Sequence, residues 1–200
     1  MKRRVAVVAL LAILFTGILG IFWYSDWIYQ LPTPVPEHYK PVQNGVQIAL
    51  PGQLKENEDK PVFIHFFNPD CPCSKFNITH FKSLVREHKE QVNFMIVVLN
   101  NDRYTSTEIQ DKFGLDIPVS FDTSLATSCG VYSTPQAAIL DKDQHLFYRG
   151  NYNKTRYCTD KKTNYAQIAL NALLKNSANV SFDRYALTAY GCQLPKCNKY

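Results

Sequence analysis

The chain has 200 residues, and 22 Lys and Arg against 17 Asp and Glu give it a net charge of +5. Part of that excess is the Lys2-Arg3-Arg4 cluster and the rest is scattered; without a basic stripe interleaved with aromatics, nucleic acid is excluded as a partner. Six cysteines are a high count for this length: they read as disulfides outside a reducing compartment and as metal or catalytic residues inside one.

The N-terminal segment decides which compartment applies. From Val5 to Tyr24 there is no charged residue, a length that crosses about 30 Å of hydrocarbon as a helix. Trp23, Tyr24 and Trp27 follow where aromatic rings favour the headgroup region, and the basic cluster predicts a cytoplasmic N-terminus with the remainder exported. A cleaved signal peptide is the alternative, with Thr16-Gly17-Ile18-Leu19-Gly20 as a weak cleavage region. Both readings expose the cysteines to oxidation. Residues 1–30 are thus an anchor or signal segment, and 31–60 a Pro-rich linker (Leu31-Pro32-Thr33-Pro34-Val35-Pro36) with a polar extension. An edge strand is expected around Val46, Ile48 and Leu50.

Phe63-Ile64-His65-Phe66-Phe67 reads as a buried strand, stopped by Asn68-Pro69-Asp70. Cys71-Pro72-Cys73-Ser74 follows, and Phe76, Ile78, Phe81, Leu84 and Val85 then recur as on one face of a helix. Cysteines at a helix N-terminus meet unpaired N–H groups and the positive dipole end, which favour thiolate over thiol. Val92 to Leu99 is a near-continuous apolar run, as expected of a strand covered on both faces. Thr105 to Phe113 reads as a short helix capped by Ser106 or Thr107 and stopped by Gly114, and Ile117 to Phe121 as a short strand. Gln136–Leu140 and His145–Arg149 flank a turn as a hairpin, and Ala166 to Leu174 is an amphipathic helix. Residues 177–200 form a tail with Cys192 and Cys197.

This α/β order implies parallel strands joined by right-handed crossovers, with the hairpin adding antiparallel edges. Together with Cys71-Pro72-Cys73 after the first central strand and Ser133-Thr134-Pro135 before the third, it resembles the thioredoxin-like superfamily, more narrowly membrane-tethered periplasmic thiol-disulfide proteins and the redoxin group. The resemblance covers about residues 62–175. It implies an α/β/α domain with a central mixed sheet over 61–176, acting on protein thiols or disulfides in the envelope with a further redox partner. It also implies an inner-membrane, single-pass location with the domain in the periplasm. Thr134-Pro135 corresponds to the cis-proline loop beside the active-site cysteines, where a bound substrate chain pairs. No phosphate loop, nucleotide motif or acidic cluster points to a bound organic cofactor, and no metal is assigned.

The chain departs from the family pattern in two places. Cys71 falls on the nucleophile, but Ser74 falls on the second cysteine, and Cys73 comes one residue early. A Cys71–Cys73 disulfide closes a small, strained and hence more oxidising ring; otherwise another cysteine resolves Cys71. His65 stands where the family carries a buried acid that shuttles a proton, a role imidazole fills nearer neutral pH, unless it is a packed strand histidine. Cys129, Cys158, Cys192 and Cys197 are candidates for structural or resolving disulfides: a local Cys192–Cys197 bridge is one arrangement, resolution of Cys71 or Cys73 by Cys129 another.

Two rival activities share the fold. Cys71, Cys73 and His65 or His80 are a soft ligand set for Cu(I), though the related copper chaperones space their cysteines as C-x-x-x-C. A peroxidase of the peroxiredoxin type requires threonine ahead of the cysteine, and none lies between Pro69 and Cys71.

Overall fold

Val62–Phe67 forms β1, the middle strand of a five-stranded sheet. The structure, a computed structural model, describes residues 2–28, 30–50, 59–99, 103–155, 157–177 and 180–194. It divides the chain into two units, 1–32 and 33–200. The first contains helix α1 (Lys2–Ile28), whose 27 residues extend about 40 Å at 1.5 Å per residue. It is long and apolar enough to cross a membrane.

In the second unit β1 leads through α2 (Pro72–His88) to β2 (Asn93–Val98), and α3 (Ser106–Phe113) leads to β3 (Val119–Ser120). After α4 (Ser124–Ser128) come β4 (Ser133–Thr134), β5 (Gln136–Leu140) and β6 (Leu146–Gly150). Helices α5 (Tyr165–Leu174) and α6 (Arg184–Leu187) precede a last strand, β7 (Cys192–Gln193). The sheet order is β3-β2-β1-β5-β6: β1, β2 and β3 run parallel, while β5 pairs antiparallel with both β1 and β6, as the crossover-plus-hairpin pattern requires. Strands β4 and β7 make a separate antiparallel pair.

The period-2 alternation of a strand sends the residues of β1 to two faces. Phe63 and Phe67 join Phe81, Leu84, Ile109, Phe113, Ala166 and Leu170 under α2, α3 and α5. Val62, Ile64 and Phe66 join Leu125, Ala126, Ile48 and Val131 on the opposite face. Both faces of β1 are therefore sealed, which explains an apolar run with no polar gap except His65.

Three local outcomes differ from the sequence reading. The cap of α3 is Thr105, one residue earlier than expected: its hydroxyl accepts from Glu108 N while the Glu108 carboxylate accepts from Thr105 N, a reciprocal capping box. Around Val46 the chain forms a single bridge, Gln47 with His145, rather than an edge strand. Finally, Thr33 of the Pro-rich segment does not sit in open spacer. It is buried, its N–H donates to Ala189 O (2.7 Å) and its hydroxyl to Gly191 O (2.8 Å). Residues 51–58 of the expected extension and Cys197 of the tail lie outside the described residues.

Candidate active site

The site forms where β1 hands over to α2. The Asn68-Pro69-Asp70 turn is closed by Asp70 N donating to Asn68 Oδ1 (2.9 Å) and Cys71 N donating to Asn68 O (3.1 Å). Pro72 takes the first helical position, where a missing N–H is no loss, so Cys71 becomes the N-cap and Cys73 lies in the first turn. Ser74, the next residue along α2, is buried and its Oγ accepts from Asn68 N (3.4 Å). That hydroxyl braces the turn.

Opposite Cys71 is the Thr134-Pro135 peptide, which is cis, with the Thr134 carbonyl oxygen 3.8 Å from Cys71 Sγ. The partner of Cys71 is Cys192: the two form a disulfide across 121 positions. Cys192 arrives on β7, which pairs antiparallel with β4 in the register Ser133 with Gln193 and Thr134 with Cys192. The sulfurs of Cys71, Cys73 and Cys192 all lie within 4.8 Å of one another. All three residues are buried, at 0%, 2% and 2% exposure.

The approach of the tail to Thr134 is close enough to specify its sequence. A Cβ on Gly191 would overlap the Thr134 carbonyl and the Ser133 hydroxyl. Upstream, the tail is fixed to the hairpin: Asn151 N donates to Ala186 O (2.8 Å), and Asn151 Nδ2 to Tyr185 O (2.7 Å). Ala186 and Ala189 are fully buried.

A model of the family described as Domain of unknown function (DUF6436) matches residues 40–195. The chain belongs to that family. Over 93 residues it is 34% identical to the thiol-disulfide oxidoreductase ResA of Halalkalibacterium halodurans, a match covering 45% of this chain and 53% of that protein. The chain thus spans about half the length of that curated relative. Among solved structures, a hypothetical protein of Sinorhizobium meliloti 1021 has a TM-score of 0.65 at 18% identity, covering 78% of this chain and 96% of that one. An uncharacterized conserved protein of Geobacillus kaustophilus has a TM-score of 0.56 at 20% identity, covering 73% and 88%. Sheet order, cysteine turn and cis-proline give this DUF6436 domain a thioredoxin-like fold.

The remaining candidates separate into two environments. His65 is buried in the aromatic core, stacked on Phe81 (centroids 4.6 Å apart), with Nδ1 2.6 Å from the Tyr152 hydroxyl. Desolvation, with a smaller contribution from His80, holds its pKa down at about 3, so the ring is neutral at physiological pH. His80 is likewise lowered by burial. Cys158 donates to Asn77 Oδ1 (2.9 Å) on α2, and Cys129, the C-cap of α4, lies buried in the core with Val131 and Leu125.

The structure corrects the expected disulfides. Cys71 is bonded to Cys192 and not to Cys73, which excludes a local Cys192–Cys197 bridge. Cys129 and Cys158 both keep their thiols, so neither is a bridge, and Cys129 does not reach the cluster to resolve Cys71. Burial pushes both thiols up to about 12.

Proposed function

We propose that this chain is a membrane-anchored thiol-disulfide oxidoreductase of the bacterial envelope, with Cys71 as attacking thiol and Cys192 as its disulfide partner. The observation that carries the reading is the Cys71–Cys192 disulfide at the N-terminus of α2, beside the cis Thr134-Pro135 bond. The partial likeness to ResA supports the same chemistry. The apolar helix α1 supports anchoring, and the basic residues before it favour a periplasmic domain.

In the reducing direction the Cys71 thiolate attacks one sulfur of a substrate disulfide, and the other sulfur leaves as thiolate. Cys192 thiolate then attacks Cys71 Sγ, forming Cys71–Cys192 and releasing the second substrate thiolate. Two electrons have passed to the substrate. The net exchange run in the opposite direction, from the oxidised pair, oxidises a substrate dithiol. The first-turn N–H groups of α2 stabilise the thiolate at Cys71, and Thr134-Pro135 holds the substrate chain. The test is a redox titration with mass-spectrometric mapping, alongside exchange with a peptide disulfide. A Cys71–Cys192 couple in equilibrium with the peptide is expected, lost in Cys71→Ser; a pair that no dithiol reduces in the folded protein would sink the reading.

The three sulfurs also favour a second reading, a soft-metal site. Once reduced, Cys71, Cys73 and Cys192 offer three thiolates to one Cu(I), a different set from one that includes His65 or His80. Titrating the reduced protein with Cu(I) against a chelator of known affinity distinguishes it from the first.

A further inference from the structure

The tail carries a second message. Within the oxidoreductase reading, an extended peptide with a reacting cysteine would pair along Ser133-Thr134 and present its sulfur to Cys71. That position is already taken. Gly191-Cys192-Gln193 runs antiparallel to Ser133-Thr134, Cys192 stands opposite Thr134, and its sulfur is joined to Cys71. The occupant is tied to β4 by Thr33, whose hydroxyl donates to Gly191 O and lies 3.1 Å from Ser133 Oγ. Position 191 has no side chain, which lets the backbone meet the Thr134 carbonyl. With Cys71 at 0% exposure, an external macromolecular thiol has no approach to the disulfide while β7 is in place.

We propose that residues 191–193 are an internal substrate strand that seals the oxidised site, and that the Cys73 thiol releases it. Cys73 lies in the first turn of α2, and its sulfur is within 4.8 Å of both disulfide sulfurs. The Cys73 thiol gives up its proton and its sulfur attacks Cys71 Sγ. The Cys71–Cys73 bond forms, the Cys71–Cys192 bond breaks, and Cys192 leaves as a thiolate that takes a proton. The exchange is redox-neutral and needs no outside reagent. It detaches β7 from the Thr134 edge, which an incoming cysteine peptide then occupies. The small Cys71-Pro72-Cys73 ring is strained relative to a bridge between distant residues, so the sealed form dominates and the released form is the stronger oxidant. Oxidising equivalents are thereby kept from bystander thiols until a chain competes for the strand site.

The test uses the full chain, oxidised, in detergent. Alkylation with excess N-ethylmaleimide followed by mapping is expected to label Cys192 and to leave a Cys71–Cys73 disulfide. Label at Cys73 alone, with Cys71–Cys192 intact, overturns the proposal without any variant. A second arm adds a reduced, end-blocked peptide of residues 189–194 and follows its mixed disulfide with Cys71. Cys73→Ser is expected to slow this about tenfold or more against wild type. Equal rates overturn release by Cys73 while leaving the oxidoreductase reading standing. If wild type exchanges with neither the peptide nor dithiothreitol, both readings fall together.

Discussion

His65 Nδ1 and the Tyr152 hydroxyl lie 2.6 Å apart, both side chains buried, His65 against Phe67, Phe81 and Phe113 and Tyr152 against Phe63 and His80. The pair occupies the interior behind α2, and its consequence is acid sensitivity. The folded-state pKa of His65, about 3, lies below the 6.5 of the unfolded chain, so the unfolded state binds the extra proton. Stability from this group is fully present above pH 6.5 and is lost as pH falls from 6.5 towards 3. While it titrates the loss is about 1.4 kcal/mol per pH unit, and His80 adds in the same sense. Denaturant unfolding at pH 7, 6 and 5 should show the decline, and His65→Phe should flatten it. An unchanged slope in His65→Phe assigns the acid sensitivity elsewhere.

Reduction should soften the fold. The Cys71–Cys192 bridge closes a loop of 121 positions, for which loss of chain entropy in the unfolded state gives about 5 kcal/mol. At about 2–4 °C per kcal/mol for a domain of this size, reduction lowers Tm by about 10–20 °C. Cys192→Ala should melt at the reduced temperature whether or not dithiothreitol is present, whereas Cys158→Ala should retain the redox-dependent difference.

Gly191→Ala places a methyl into the Thr134 carbonyl and the Ser133 hydroxyl, both backed by buried structure. Overpacking of this kind costs about 1–3 kcal/mol, and here it bears on the β4–β7 pair. The oxidised variant should lose part of its stability and the reduced variant less, because the reduced tail can move away. Equal losses in the two states would place the strain outside the tail.

Iodoacetamide should discriminate among the thiols of the reduced, folded protein. Cys129 and Cys158, pushed up to about 12, hold a thiolate fraction on the order of 10⁻⁴ at pH 8 and should stay unlabelled over minutes. Cys71 should react ahead of them, as read by peptide mapping. Rapid labelling of Cys129 would contradict its burial at the end of α4.

Much of the fold was legible because its signals are local. The aromatic run of β1, the apolar run of β2, Gly114 after α3 and the turn of the β5–β6 hairpin each announce themselves within a few residues. Cys71 and the Thr134-Pro135 pair were legible for the same reason. The partner of Cys71 was not. Cys192 lies 121 positions away, and two-residue strands such as β4 and β7 leave no periodicity to detect. Gly191 was a readable trace of a close backbone approach, but nothing nearby says against what. For His65 the sequence leaves proton transfer and strand packing open, because chain position alone does not show what surrounds the ring. Its pKa is lowered by burial, with a smaller contribution from His80, among rings such as Phe81 and Phe113 that meet it only in three dimensions.

The order of residues along the chain also sets an order of assembly. Synthesis delivers β1, the cysteine turn and α2 long before β7. At about 5–20 residues per second, 121 positions amount to an interval on the order of ten seconds. During that time Cys71 and Cys73 are present while the strand that covers them has yet to emerge. A nascent domain is therefore open to any thiol or disulfide in its surroundings, and arrival of the C-terminal segment closes that window. Early in its life the molecule is at its least selective.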